Sequence, residues 1–206
     1  MSELLRILLW VVIGYLAGSI PFGYLLVRAL RGIDIRTVGS GNIGATNVYR
    51  AAGGRLAAAV FLCDTAKGWL PVAAAGYAGL PSLVGLLAGI AAILGHSFSC
   101  FLRGKGGKGV ATSFGVALAL IPYAALCALG LWIAVTAATR YVSAGSLAAA
   151  CLFPVLVRLF HPGDMWRFSF AAAAAVFIIV MHRSNIVRLA AGTEHRIRLP
   201  WMSQPR

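Results

Sequence analysis

The sequence predicts an all-α integral membrane protein of seven transmembrane helices, with the N-terminus outside and the C-terminus in the cytoplasm. Three observations carry this. The 206 residues are 60% hydrophobic and only 11% charged, where a soluble domain carries about 25% charged residues. Apolar runs such as 7–27 and 56–75 reach the ~20 residues that a bilayer crossing needs. The 18 Lys and Arg residues gather in a few segments between such runs, and basic loops concentrate on the cytoplasmic side.

The first span covers about residues 4–30. Its basic start is weak and opposed by Glu3, its apolar run exceeds that of a secretory signal, and no clean A-x-A site follows, so it is read as uncleaved. Runs at 56–75 and 83–101 come next, rich in Leu, Ala, Ile and Val. They form helices because lipid offers no partner to an open backbone group. The stretch 109–139 is either one tilted helix or two short ones broken near Pro122, since proline removes a donor and clashes in a helix interior. Charge placement favours two helices, 109–121 and 123–139. That choice puts 31–55, 103–108, Arg140 and the tail from Arg183 on one face, and leaves only Arg6, Arg158 and Arg167 on the other. Spans at 146–160 and 165–181 complete the set, and the alanine run 171–175 lets helices pack closely. Residues 1–206 form a single membrane domain in this reading, with cytoplasmic-face segments at about 31–55, 102–109, 140–146 and 182–196.

The net charge of +13 follows from this bias and from attraction to anionic headgroups, so it gives no support to nucleic-acid binding. Cys63, Cys100, Cys127 and Cys151 show neither zinc spacing nor a disulfide framework, and are expected as small buried hydrophobes. No metal or cofactor is implied.

Two stretches fit G-x-G-x-x-G: GSGNIG at 39–44 and GKGGKG at 104–109. That fingerprint signals a nucleotide only after a strand and before a helix. A membrane helix precedes the first stretch, so the nucleotide reading fails. Glycines still allow sharp turns and close backbone approach, and successive N–H groups form an anion-binding nest. A helix starting just beyond, at GATNVYR or GVATSFG, would add its positive end. Both stretches therefore read as phosphate cradles, with tight interfacial turns as the plainer alternative. Ser40, Asn42, Thr46 and Asn47 offer neutral donors nearby, and Arg50 can grip phosphate with two parallel N–H bonds. The segment RYVSAGS brings Arg140, Ser143 and Ser146, and HRSNIVRL brings His182, Arg183, Asn185 and Arg188. Deeper in the membrane, Asp64 and Lys67 share a helical face and can pair, more as a structural ion pair than as catalysts. His96 is expected as a hydrogen-bonded helix-end residue, with ligand or proton carrier as alternatives.

The blocks GSIPFGYLL, DIRTVGSGNIGATNVYRAAG, DTAKG, GHSFSCFLRGKGGKGVATSFG, RYVSAGS and HRSNIVRLAAGTEHR stand in this order between residues 18 and 196. Together they resemble the bacterial acyl-phosphate-dependent glycerol-3-phosphate acyltransferases of the inner membrane. Arg103-Gly104 departs from the aromatic-rich approach usual before KGGKG. The resemblance implies seven spans, a cytoplasmic-face active site, and transfer of an acyl chain from acyl phosphate to the 1-hydroxyl of glycerol 3-phosphate. The products are lysophosphatidic acid and phosphate. It points to Ser40, Lys108 and Ser146 around the reacting phosphate, and to Arg50, His182 and Asn185 around glycerol 3-phosphate. Gly39, Gly41 and Asn42 shape the first cradle. The partners implied are these two substrates and bilayer lipids, with no nucleotide.

The acyltransferase motif H-x-x-x-x-D is absent: Phe101, Trp166, Val187 and Pro200 stand five beyond the four histidines. Acyl phosphate is already activated, so positioning and charge stabilisation can suffice. The hydroxyl proton goes to a substrate phosphate oxygen or to His182. A small transporter of a phosphorylated metabolite is the competing reading, though it would favour midplane sites and inverted repeats. A lipid-binding scaffold is a third, and would not need so many neutral donors.

Overall fold

A computed structural model of the chain describes residues 2–197; the tail from Arg198 onward lies outside the described residues. Among the described residues there are ten α-helices, two short 3-10 turns and no strand. They divide into two compact units, Met1–Pro122 and Tyr123–Arg206.

In the first unit the N-terminal span is broken. Helix α1 (Glu3–Ser19) starts under Ser2, whose Oγ accepts from the Leu5 N–H at 3.4 Å. Pro21 lacks an N–H and interrupts the ladder, and α2 (Phe22–Arg31) ends at left-handed Gly32, φ 70°. The break frees carbonyls at membrane depth, where an orphan is costly. Two buried side chains answer them: Ser99 Oγ donates to Ser19 O at 2.6 Å and Lys67 Nζ to Ile20 O at 2.8 Å. The single run expected at 4–30 is thus two helices.

Helix α1 lies along α5 (Ser82–Ser97). A Cβ on Gly14 would stand 2.1 Å from Ala88 O, and one on Gly18 2.1 Å from Ala92 O, so only glycine permits this approach. Helix α4 (Gly54–Tyr77) crosses α6 (Val110–Leu120) by the same device, since a Cβ on Gly115 would collide with Thr65 O. Between α2 and α4 sits α3 (Ala45–Ala52). Val27, Ile35, Ile43, Val48, Val60 and Leu102 form one buried apolar cluster. Ile43 belongs to the first glycine segment and Leu102 precedes the second, so this cluster seats both in one neighbourhood.

The second unit contains α7 (Pro122–Thr139), α8 (Val142–Phe160), α9 (Met165–Met181) and α10 (Arg183–Ala190). Helices α8 and α9 pack together, with Phe153 and Phe170 edge to face at 6.5 Å. Asp164 caps α9 by accepting from the Arg167 N–H at 3.0 Å, and also pairs with the Arg167 guanidinium. The chain bends by 61° between α9 and α10, at His182.

Among the described residues five segments are long and apolar enough to cross a membrane: Glu3–Arg31, Gly54–Tyr77, Ser82–Leu102, Pro122–Thr139 and Val142–Phe160; the α9–α10 pair, taken as one bent span, is a sixth. The remaining expected span is α6, of 11 residues. At 1.5 Å per residue it reaches about 16 Å, short of the ~30 Å hydrocarbon core. The 109–139 stretch is two helices, parting at Ile121. Two expectations change. The cysteines are all free, but Cys100, Cys127 and Cys151 are exposed rather than buried. Helix α8 begins at Val142, four residues before the expected start at Ser146, so Ser143 lies on it rather than in the preceding loop.

Candidate active site

The first glycine segment is built from its edges inward. Asp34 accepts from the Arg36 N–H at 3.0 Å and pairs with its guanidinium at 2.6 Å. Those hydrogen bonds hold its carboxyl down at about 2. Arg36 also lies over the Tyr24 ring, 4.6 Å from its centre. Gly39 and Gly41 follow with φ of 61° and 68°, a region that side chains disfavour. Buried Asn47 ties the turn together. Its Nδ2 donates to Ile35 O at 3.2 Å and Val38 O at 2.9 Å, and its Oδ1 accepts from the Ser40 N–H at 3.1 Å. Asn42 Oδ1 accepts from the Gly44 N–H at 2.8 Å. Asn42 and Asn47 thus shape the turn, while the Ser40 side chain stays exposed at its rim. Arg50 is exposed in the last turn of α3.

The second segment spends its loop amides internally. The N–H groups of Gly104, Lys105, Gly106 and Gly107 donate to Ser99 O, Leu102 O, Ser97 O and His96 O at 2.8 to 3.1 Å. Gly109, φ 81°, then turns the chain into α6 with no side-chain cap. Helix geometry leaves the first-turn N–H groups without an intrahelical partner, so the anion-attracting end here is the start of α6. Lys108 stands immediately before it, partly buried, and Lys105 is exposed.

Asp64 is buried in α4, with Oδ1 2.6 Å from Lys67 Nζ and 3.6 Å from His96 Nδ1. The expected pair is present, and His96 joins it. The sequence motif search missed this approach because 32 residues separate the two and only the α4–α5 packing brings them together.

In the second unit Glu194 is the centre. Its Oε1 accepts from Ser143 Oγ at 3.0 Å and Asn185 Nδ2 at 2.7 Å, and its Oε2 from Arg188 Nε at 2.7 Å. Burial works to raise this carboxyl, but the hydrogen bonds from Asn185, Arg188 and Ser143 prevail and hold it below the usual carboxylate range. Asn185 and Ser143, read from sequence as donors toward a ligand, each serve the protein's own carboxylate. Ser146 Oγ donates to Val142 O at 3.0 Å and accepts from Trp132 Nε1 at 3.2 Å. His182 is 3% exposed, and its Nδ1 lies 2.8 Å from Ile178 O. A carbonyl only accepts, so Nδ1 carries a proton.

Comparison with known proteins gives one answer. A family model described as glycerol-3-phosphate acyltransferase matches residues 8–192. A glycerol-3-phosphate acyltransferase of Myxococcus xanthus is 49% identical over 191 residues, 90% of this chain and 97% of that protein. One from Geobacter sulfurreducens is 45% identical, covering 95% of this chain and all of the relative. The crystal structure of PlsY, an integral membrane glycerol 3-phosphate acyltransferase in its glycerol 3-phosphate form, superposes with a TM-score of 0.86 at 40% identity, covering 93% of this chain and 96% of that one. The lysophosphatidic acid form of PlsY gives 0.84 at 39% identity, with 93% and 95% coverage.

Proposed function

The chain belongs to the glycerol-3-phosphate acyltransferase family of phospholipid biosynthesis, and on that footing we propose that it moves an acyl group from acyl phosphate to the 1-hydroxyl of glycerol 3-phosphate. Lysophosphatidic acid and inorganic phosphate are the products. The transporter alternative is set aside, because the relatives and the two PlsY structures are acyltransferases.

One observation carries the chemistry: two glycine segments, each leading into a helix start, seated on one apolar cluster. Both substrates bear phosphate, and a helix start favours negative charge. The glycerol oxygen attacks the acyl carbonyl carbon, and the bond to the bridging phosphate oxygen breaks. The hydroxyl proton goes to a phosphate oxygen of a bound substrate. His182 is the second candidate, its ring held by the Nδ1 contact to Ile178 O. Ser40 and Lys108 stabilise the departing phosphate, together with Ser146. Arg50 and His182 serve glycerol 3-phosphate, with Asn185 offering the second hydrogen of the amide that already donates to Glu194, while Gly39, Gly41 and Asn42 give the first segment its form. The protein sits in a bacterial inner membrane with its motif loops in the cytoplasm, the short α6 making the seventh crossing by thinning the bilayer around it. Acyl chains reach it from lipid and glycerol 3-phosphate from water.

Donor comparison tests this reading. Purified protein should turn over with acyl phosphate and not with acyl-coenzyme A or acyl carrier protein. Comparable turnover with acyl-coenzyme A would contradict the donor assignment.

A further inference from the structure

Beneath the second glycine segment, His96 touches two successive residues in three ways. Its backbone oxygen accepts from the Gly107 N–H at 3.0 Å. A Cβ on Gly106 would stand 2.0 Å from that same oxygen, and a Cβ on Gly107 would stand 2.1 Å from His96 Nε2. The ring edge is therefore the floor on which Gly107 rests, the His96 carbonyl lies under Gly106, and no side chain fits between. The opposite ring nitrogen, Nδ1, forms no hydrogen bond, is sealed from solvent, and faces Asp64 Oδ1 at 3.6 Å. Lys67 does not need His96. It already bonds Asp64 Oδ1 at 2.6 Å and closes the α1–α2 break at Ile20 O.

We propose that Asp64 is a positioning residue for the acyl transfer: through the His96 imidazole it fixes the second glycine segment, and with it the placement of Lys108. The inference rests on the acyltransferase reading above. Asp64 is buried and touches no part of the segment itself, so it acts through the ring. Its carboxylate draws the imidazole proton to Nδ1, since the proton of a neutral imidazole goes to the nitrogen that faces an acceptor. Nε2 then meets Gly107 without a hydrogen. With the opposite tautomer an N–H would press on the Gly107 backbone, and the segment would have to lift. The chain thus links an intramembrane carboxylate on α4 to a cation at the start of α6. Such groups are expensive in lipid and mark function more often than support.

The competing explanation is that Asp64 only neutralises Lys67. Two double variants separate the ideas: Asp64→Leu with Lys67→Met, and Asp64→Asn with Lys67→Met. Both abolish the ion pair, and replacing a buried pair by apolar groups is often tolerated. Only Asn keeps an oxygen facing Nδ1. After confirming monodisperse protein, kcat and KM for both substrates are measured. The Asn variant should keep turnover within about threefold of the unsubstituted protein, while the Leu variant falls at least tenfold further. Equal turnover of the two variants overturns the proposal. Should either variant fail to fold, nitrogen-15 spectra of the unsubstituted protein decide: His96 is expected protonated on Nδ1 at neutral pH, and a bare Nδ1 overturns the link. Inactivity of the unsubstituted protein with acyl phosphate would instead count against the acyltransferase reading on which this one rests.

Discussion

Lys108 precedes the uncapped first turn of α6, where an ammonium and helix N–H groups can act on one phosphate. Charge grows on that phosphate as the acyl bond breaks, so a cation there favours the transition state over the ground state. Losing one such donor costs about 3–4 kcal/mol, or ~10²–10³ in rate. Lys108→Ala should lose that much turnover at saturating substrates while staying monodisperse. Lys108→Arg should recover little, since a planar fork replaces a compact charge. Exposed Lys105 is the internal control, and Lys105→Ala should cost less. Near-normal turnover by Lys108→Ala would remove it from the mechanism. Glu194 gives a stability prediction. Its folded carboxyl is held below the unfolded value by Asn185, Arg188 and Ser143. The stabilisation is therefore full above an unfolded value of about 4.3 and is lost as pH falls through the lower folded value. Thermal unfolding from pH 7 toward pH 3 should show Glu194→Gln less stable than the parent at neutral pH, with the gap closing in acid. A gap that persists at pH 3 would argue against the carboxylate's role. Sequence alone concealed Glu194, because its three partners come from α8 and α10 while it lies in the turn after α10. The available signal was scarcity: it is one of only 5 acidic residues in a chain with 18 basic ones.

At the scale of single elements, the first glycine segment is held by one buried amide. Asn47→Ala removes two donated hydrogen bonds and one accepted bond, leaving the Ile35 and Val38 carbonyls without that partner. Both carbonyls keep a backbone donor, from Val38 and Gly41, so the loss is the net worth of the hydrogen bonds, about 0.5–1.5 kcal/mol each. The variant should unfold at lower temperature and show a raised KM for a phosphate-bearing substrate. Unchanged KM with unchanged melting would mean the turn is set by its glycines alone. The helical elements themselves were legible, since apolar runs in lipid have few alternatives. Their ends were less so. Hydropathy averages over the Ile20–Pro21 break, because the residues there are as apolar as a helix interior. The start of α8 at Val142 was missed because Ser143 and Ser146 are polar yet turn inward, toward Glu194 and Trp132. The return of Glu194 to α10 depends on Gly192, φ 68°, a helix-ending glycine in a stretch read only as tail.

For the whole molecule, the basic segments predict an orientation that labelling can check. In a variant lacking Cys63, Cys100, Cys127 and Cys151, single cysteines are placed at exposed Thr37 and at Tyr77, 88% exposed at the end of α4. An impermeant thiol reagent should label Tyr77→Cys in intact cells and reach Thr37→Cys only after the inner membrane is opened. Labelling of Thr37→Cys in intact cells would reverse the orientation. Fold class was legible at this scale because composition and charge asymmetry report directly on the bilayer. The resemblance of ordered blocks named the reaction, whereas the buried Asp64–His96 approach needed the helix packing to be seen. The central claim is a balanced acyl transfer between two phosphate compounds, and one measurement reaches it most directly. Purified protein is given acyl phosphate with a labelled phosphorus and glycerol 3-phosphate with a labelled carbon, and both labels are followed in one reaction. One labelled inorganic phosphate should appear for each carbon-labelled lysophosphatidic acid, with no phosphorus label in the lipid. Phosphate release without lysophosphatidic acid, or phosphorus label carried into the lipid, would contradict it.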